Sequence, residues 1–297
     1  MDKPADKSKI TSTVAKSEDK SIQITFTIPF SIVKRAQDEV IADYSKEAEI
    51  PGFRKGKAPI DKVREKISQN VLTEKSMSKI LPKALADAIN EHKIKPATYP
   101  KFELIKADEG DDWQLRATTC ELPEVNLGDY KKIISEASKT KSIWTPEKGL
   151  PKDKPKEPTK EEKEQEVIKI LLDSIQINIP KVLINEEVDS RLSALLARIE
   201  KLGLNFEGYL GSLEKTPEGL RGEYELQAKS SIALELILNA IAEEDKTKIE
   251  ETQIDEAIKA ASADPKLSEK LNTPEQRRLI RSILLRRETL DRLTASI

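Results

Sequence analysis

Ile50-Pro51-Gly52-Phe53-Arg54-Lys55-Gly56-Lys57-Ala58-Pro59 sets one aromatic ring and three cations among two glycines and two prolines. Glycine and proline are costly inside a regular element, so the stretch reads as an ordered, exposed loop between two helices. A ring beside cations on such a loop has the chemistry of a docking tip. The ring can enter a small pocket while the cations meet phosphates or carboxylates. The same residues also fit a basic turn whose Phe53 folds back on the core, and residue types alone leave both readings open.

Working outward, Ile10, Ser12 and Val14 mark a short strand upstream. In a second strand Ile22, Ile24, Phe26 and Ile28 alternate with Gln23, Thr25 and Thr27 up to Pro29. Ser31 to Lys46 then fits a helix with Val33, Ala36, Val40 and Ile41 on one stripe and Ser31 placed to cap it. Downstream, Pro59 opens a helix over Ile60 to Ile67, because a first-turn proline loses no intrahelical bond. Val71 to His92 reads as a longer helix that Pro82 should kink or divide. Lys101 to Ala107 and Trp113 to Leu122 read as two further strands joined across Asp108 to Asp112. Strands contributed from both ends, with helices between them, predict an α+β domain over residues 1–137.

Residues 138–160 change character: Pro146, Pro151, Pro155 and Pro158 are interleaved with Lys and Glu, and Trp144 alone offers bulk. That composition predicts a semi-extended linker, with Trp144 either free or pinning it to a neighbouring surface. Residues 161–297 are helical in pattern throughout. Val167, Ile170, Leu171 and Ile175 form one stripe, and Val188, Leu192, Leu195, Leu196, Ile199 and Leu202 form another, closed by Gly203. Phe206 and Tyr209 sit in a short connector. Thr216-Pro217 starts a long helix through Leu220, Tyr224, Ala228, Leu234, Leu238 and Ile241, and Thr252 can cap a short one reaching Ala261. Thr273-Pro274-Glu275-Gln276 is a capping-box pattern opening the last helix. The expected fold is therefore an elongated, two-domain chain: an α+β domain followed by an all-α domain with helical arms.

Composition limits the chemistry. Lys+Arg 51 against Asp+Glu 53 leaves a net charge of -2, so any nucleic-acid contact must be local, as the loop is. Charged residues make up 35% and aromatics 4%, which suits helices around thin cores. His92 is the only histidine and Cys120 the only cysteine, so an internal disulfide is excluded and a metal or acid–base centre has little to draw on. His92 reads as a capping or surface residue and Cys120 as a core thiol. No Walker loop or dinucleotide fingerprint is present, and the Glu161 to Glu166 carboxylates read as a solvated helix face. Neither a secretory signal nor an apolar run of bilayer-spanning length is visible, so a cytoplasmic protein without cofactor or membrane contact is expected. Arg277, Arg278, Arg281, Arg286, Arg287 and Arg292 on the last helix read either as a polar wall for an acidic or unfolded chain, or as a solvated face with carboxylate partners of its own.

The loop's order, Gly52-Phe53-Arg54-Lys55-Gly56-Lys57-x-Pro59, closely resembles the ribosome-docking loop of the bacterial trigger factor family. Leu122-Pro123-Glu124-Val125-x-Leu127-Gly128-Asp129-Tyr130 resembles the segment leaving that family's N-terminal domain. Ile179-Pro180-Lys181-Val182-Leu183-Ile184-x-Glu186 and Leu202-Gly203-Leu204-x-Phe206-x-x-Tyr209-Leu210 resemble parts of its C-terminal chaperone domain. The resemblance implies an N-terminal ribosome-binding domain, docked through Gly52, Phe53, Arg54, Lys55, Gly56 and Lys57 on a large-subunit protein and rRNA at the tunnel exit. It also implies an ATP-independent chaperone for nascent polypeptides. The family usually carries an FKBP-like prolyl isomerase domain between its two parts. Here only the linker stands in that place, too short to fold alone, so no isomerase activity is expected despite the family label. Narrow stripes with few aromatics predict apolar side chains left on the arms, with Phe206, Tyr209, Leu195, Ile199, Leu234 and Leu238 as candidate client contacts and a homodimer as a competing use. A periplasmic-type helical holdase and a ribosome- or RNA-associated factor without chaperone role are the alternatives.

Overall fold

The computed structural model describes residues 9–47, 53, 54, 56, 59–108, 110–141, 159–261 and 271–296. The segment expected as a linker, Trp144 included, lies almost wholly outside them. By compactness the chain falls into two units: Met1–Leu122 with Pro180–Leu183, and Pro123–Ile179 with Ile184–Ile297.

In the first unit the alternating stretches become β1 (Thr11–Lys16), β2 (Ser21–Ile28), β3 (Lys101–Lys106) and β4 (Trp113–Cys120). They form one antiparallel sheet in the order β1-β2-β4-β3. Helices α1 (Phe30–Glu47) and α3 (Gln69–His92) cover it. The period of two puts Ile22, Ile24, Phe26 and Ile28 on one face, where they are fully buried with Trp113, Leu115 and Ala117 of β4 under Val33, Ala36, Ile80, Ala84 and Ala88.

Helix α1 begins at Phe30, one residue before the expected cap Ser31. Its first N–H donates instead to the Asp112 carboxylate, 2.9 Å away in the β3–β4 turn. Helix α3 runs unbroken past Pro82, which does not divide it. The physical reason is burial on both sides: Leu72, Ser76 and Ile80 before the proline and Ala84, Leu85 and Ala88 after it are all buried, so both halves are held by packing.

The second unit contains α4 (Tyr130–Lys141), α5 (Lys160–Ser174), α7 (Phe206–Ser212), α8 (Pro217–Glu244), α9 (Glu251–Ala261), α10 (Pro274–Ala295) and most of α6 (Lys181–Lys201). Its core joins Tyr130 and Ile134 of α4, Val167 and Leu171 of α5, Ile237, Leu238 and Ile241 of α8, and Leu290 and Leu293 of α10. Compactness thus divides the chain after Leu122, whereas composition changes after residue 137. Phe206 and Tyr209 lie in a short helix rather than a bare connector; it is capped by the Asn205 side chain, which accepts from Gly208 N–H at 2.6 Å. Thr252 lies inside α9 rather than at its cap. At α10 the Thr273 hydroxyl accepts from Gln276 N–H at 3.3 Å.

Candidate functional site

The loop between α1 and α2 (Ile60–Lys66) stands on a small core of its own. Val40 and Ile41 of α1, Val63 of α2 and Leu72 of α3 are buried together, with Ile67 packed against them. Beneath it, Asp43 of α1 is held by Lys79 of α3 at 2.5 Å and by Lys46 at 2.9 Å. Hydrogen bonds from these two ammonium groups, Lys79 first, lower the Asp43 pKa to about 2. Both footings are therefore fixed: α2 by an apolar contact, the end of α1 by charge.

Gly56 is the one loop glycine that the described geometry requires. Its φ is +73°, and a Cβ there would lie 2.9 Å from the Lys46 carbonyl oxygen. Only glycine meets both conditions without displacing the backbone of α1. Phe53 is 45% exposed and Arg54 is exposed, so the ring is not folded back on the core. Gly52, Lys55 and Lys57 lie outside the described residues. Two exposed apolar side chains on the framing helices, Tyr44 and Ile60, were not singled out from the sequence. Ile60 left a signal, a bulky aliphatic at the first helical position directly after Pro59.

The client candidates scatter. Ile199 and Leu238 are buried and serve the packing of the helical unit, Leu238 within its core. Leu234 is half-buried against that core, and Leu195, Phe206 and Tyr209 are also half-buried. The side chains left open are their neighbours: Leu196 at the C-terminal half of α6, Leu202 and Leu204 around Gly203, Leu213 after α7, and Leu226 of α8, 70% exposed. Leu279 and Ile283 form a further exposed pair on α10.

The arginines of α10 resolve toward carboxylates of the same unit. Arg277 bonds Glu251 at 2.6 Å and Asp255 at 2.7 Å, Arg281 also bonds Glu251, and Arg286 bonds Glu235. Arg287 bonds Glu164 of α5 at 2.7 Å and Asp291 at 3.1 Å. Arg292 donates to Thr247 at 3.0 Å. This face of α10 is laced to α5, α8 and α9. His92 lies 2.9 Å from the Ser12 hydroxyl, tying the end of α3 to β1, and Cys120 is buried. Among the described residues no cluster of His, Cys, Asp or Glu could hold a metal ion, and no helix is long and apolar enough to cross a membrane.

The family model for bacterial trigger factor protein matches residues 10–146, and the model for its C-terminus matches residues 151–295. The chain belongs to the trigger factor family. The two matched parts adjoin, with residues 147–150 alone between them, so no domain-sized segment separates them. Trigger factors of Streptococcus agalactiae and Streptococcus pyogenes are 35% and 34% identical to it over 120 residues. That stretch is 40% of this chain and 28% of each relative, so the match spans little more than a quarter of their length. A solved structure described as "Promiscuous Substrate Recognition in Folding and Assembly Activities of the Trigger Factor Chaperone" has the same fold. It aligns with a TM-score of 0.61 over 96% of this chain and 99% of its own, at 13% identity.

Proposed function

We propose that this protein is an ATP-independent, cytoplasmic chaperone that docks at the ribosomal tunnel exit and transiently shields apolar segments of nascent polypeptides. One observation carries the docking half: Phe53 and Arg54 are exposed between two helices, α1 and α2, that are buried and ion-paired where they flank the loop. Phe53 enters an apolar pocket on a large-subunit protein. Arg54 engages carboxylate or phosphate oxygens with its planar fork, and Lys55 and Lys57 add charge toward rRNA. Gly56 supplies the left-handed turn beside the Lys46 carbonyl that the loop needs. Anchoring raises the local concentration of the helical unit around emerging chain without strong intrinsic affinity.

Client shielding is supported by the dispersed open leucines of α6 to α8 and the Leu279–Ile283 pair, set among charged neighbours. Small apolar patches hold many sequences weakly, and a client is released when it buries its own apolar surface, a step that needs no nucleotide. Prolyl isomerisation requires an enclosed apolar pocket, and the adjoining family parts leave no segment to build the usual one. The deciding experiment is co-sedimentation with translating ribosomes. Changing Phe53, Arg54 and Lys55 together to Ala should abolish it while the helical circular dichroism stays unchanged. Lost binding with lost helicity would return Phe53 to the core and end the docking reading.

A further inference from the structure

The sheet ends in two edges of opposite character. β1 is polar, with Thr11 and Thr13 open to solvent and Lys16 ion-paired to Glu121 at 3.1 Å. Among the described residues β3 pairs with β4 alone, and it presents Leu104 and Ile105, 41% and 45% exposed. Just ahead of it Tyr99, 74% exposed, meets the Phe102 ring edge-on at 6.2 Å. Leu104 is the register partner of Leu115, which is fully buried, yet Leu104 stays open while Phe102, two residues earlier on the strand, packs against the sheet core.

We propose that β3 is a docking edge for an extended segment of unfolded polypeptide, added as a fifth strand, with alternating apolar residues and a basic N-terminal end. This rests on the chaperone reading and specifies how one class of client is held. Among the described residues no strand pairs with the far side of β3, and its outward backbone groups between Phe102 and Ile105 supply sequence-tolerant hydrogen bonds, while Tyr99, Phe102 and Leu104 form a shelf for every second side chain. Charge sets the polarity. Beyond Ile105 lie the exposed carboxylates of Asp108 and Asp111, with Lys106 between them, so an antiparallel strand meets net negative charge where its N-terminus arrives. A second copy of this chain fits the edge poorly. Six residues and a few open side chains fall short of the roughly 800 Å² per partner of a stable interface.

The test uses the full chain and a fluorescein-labelled peptide of alternating valine and threonine with an N-terminal lysine. Anisotropy should show saturable binding, and hydrogen exchange should show the β3 amides protected when the peptide is added. Leu104→Lys should weaken binding by about tenfold or more, as loss of a central shelf side chain does. Tyr99→Ser, which lies off the strand, should weaken it less and keeps the test sound if Leu104→Lys disturbs folding, with Trp113 fluorescence as the check. Unchanged affinity in both variants, or no protection of β3, overturns the proposal, as does β3 protection that rises with protein concentration without peptide, which makes a second copy the occupant. Suppression of aggregation of an unfolded client, measured alongside, separates the two readings. Suppression that survives in both variants together with unprotected β3 removes the edge and leaves the chaperone. No suppression by the wild type, with β3 still protected by peptide, removes the chaperone and leaves the edge.

Discussion

The two units are held together in different ways. The first concentrates its large rings: Phe26 and Trp113 sit fully buried between one sheet and two helices, where burial of apolar area dominates. Among the described residues the second buries Tyr130 as its one core aromatic and otherwise stacks aliphatic stripes of α4, α5, α8 and α10, with ion pairs along the seams. A thick core resists the loss of surface contacts but is sensitive to the loss of one ring. A thin, ion-paired one spreads its stability over many small contacts and keeps open leucines beside buried ones. That difference suits a fixed docking platform and an adaptable client surface.

The comparison breaks first at the rings. Phe26→Ala should cost about 3–5 kcal/mol, the range for truncating a buried aromatic, and should lower the urea midpoint read by Trp113 fluorescence in a Trp144→Phe background. Helical circular dichroism from the second unit should unfold at an unchanged midpoint. A common shift of both signals would mean that the units unfold as one body and that their contrast is only local. Leu171→Ala, fully buried on α5, is the mirror experiment. It should cost about 2–4 kcal/mol and shift the helical transition while the Trp113 signal holds.

Much of this contrast was legible in the sequence, for reasons that particular residues show. The alternation of Ile22 to Ile28 gives the sheet face directly, because a period of two leaves one choice of side. The loop was legible because Gly52, Gly56 and the prolines exclude a regular element. A helical stripe, by contrast, says which side of a helix is apolar but not whether a neighbour covers it, so buried Ile199 and open Leu196 look alike. The partners of the α10 arginines are carboxylates tens to more than a hundred residues away, such as Glu164 and Glu235, beyond the reach of local spacing. Tyr130 and Ile134 join the second core only through tertiary packing, so a helical fragment should begin at Pro123 rather than at residue 161. The consecutive Leu104 and Ile105 break the alternation of β3, a visible hint that one of them is left open.

At the junction of loop and platform the expected effect is intermediate. Gly56→Ala must take a left-handed backbone conformation and press a methyl group on the Lys46 carbonyl, a strain of about 1–3 kcal/mol. The loss should stay local. Hydrogen exchange should quicken in α2, while the Trp113 transition barely moves and ribosome binding weakens. Equal exchange in α2 would mean that the loop adjusts freely and that Gly56 is not a geometric requirement. Smaller still is the seam between α5 and α10. A double-mutant cycle of Glu164→Gln and Arg287→Gln should give a coupling of about 0.2–1 kcal/mol, falling with added salt, because the arginine is half-exposed. A larger, salt-insensitive coupling would make the second unit depend on buried charge and weaken the comparison.

The smallest effect separates charge from packing within the docking platform itself. Asp43 is exposed, and its pKa is held at about 2 by the hydrogen bonds of Lys79 and Lys46. A carboxylate whose pKa is lower in the folded state than in the unfolded chain stabilises the fold above the unfolded value. That contribution is present above about pH 4 and fades as pH falls toward 2. Solvent screening keeps it small, so it should appear in a titration rather than in an unfolding midpoint. The Asp43 carboxyl carbon, followed by NMR, should titrate near pH 2 in the wild type and move back toward the usual aspartate range in Lys79→Ala. The sheet core should be untouched by that change, since Val40, Ile41, Val63 and Leu72 brace the loop from the apolar side. If Lys79→Ala left the titration in place, Lys46 alone would hold the carboxylate, and the charged tie between α1 and α3 would play no part in presenting Phe53 and Arg54.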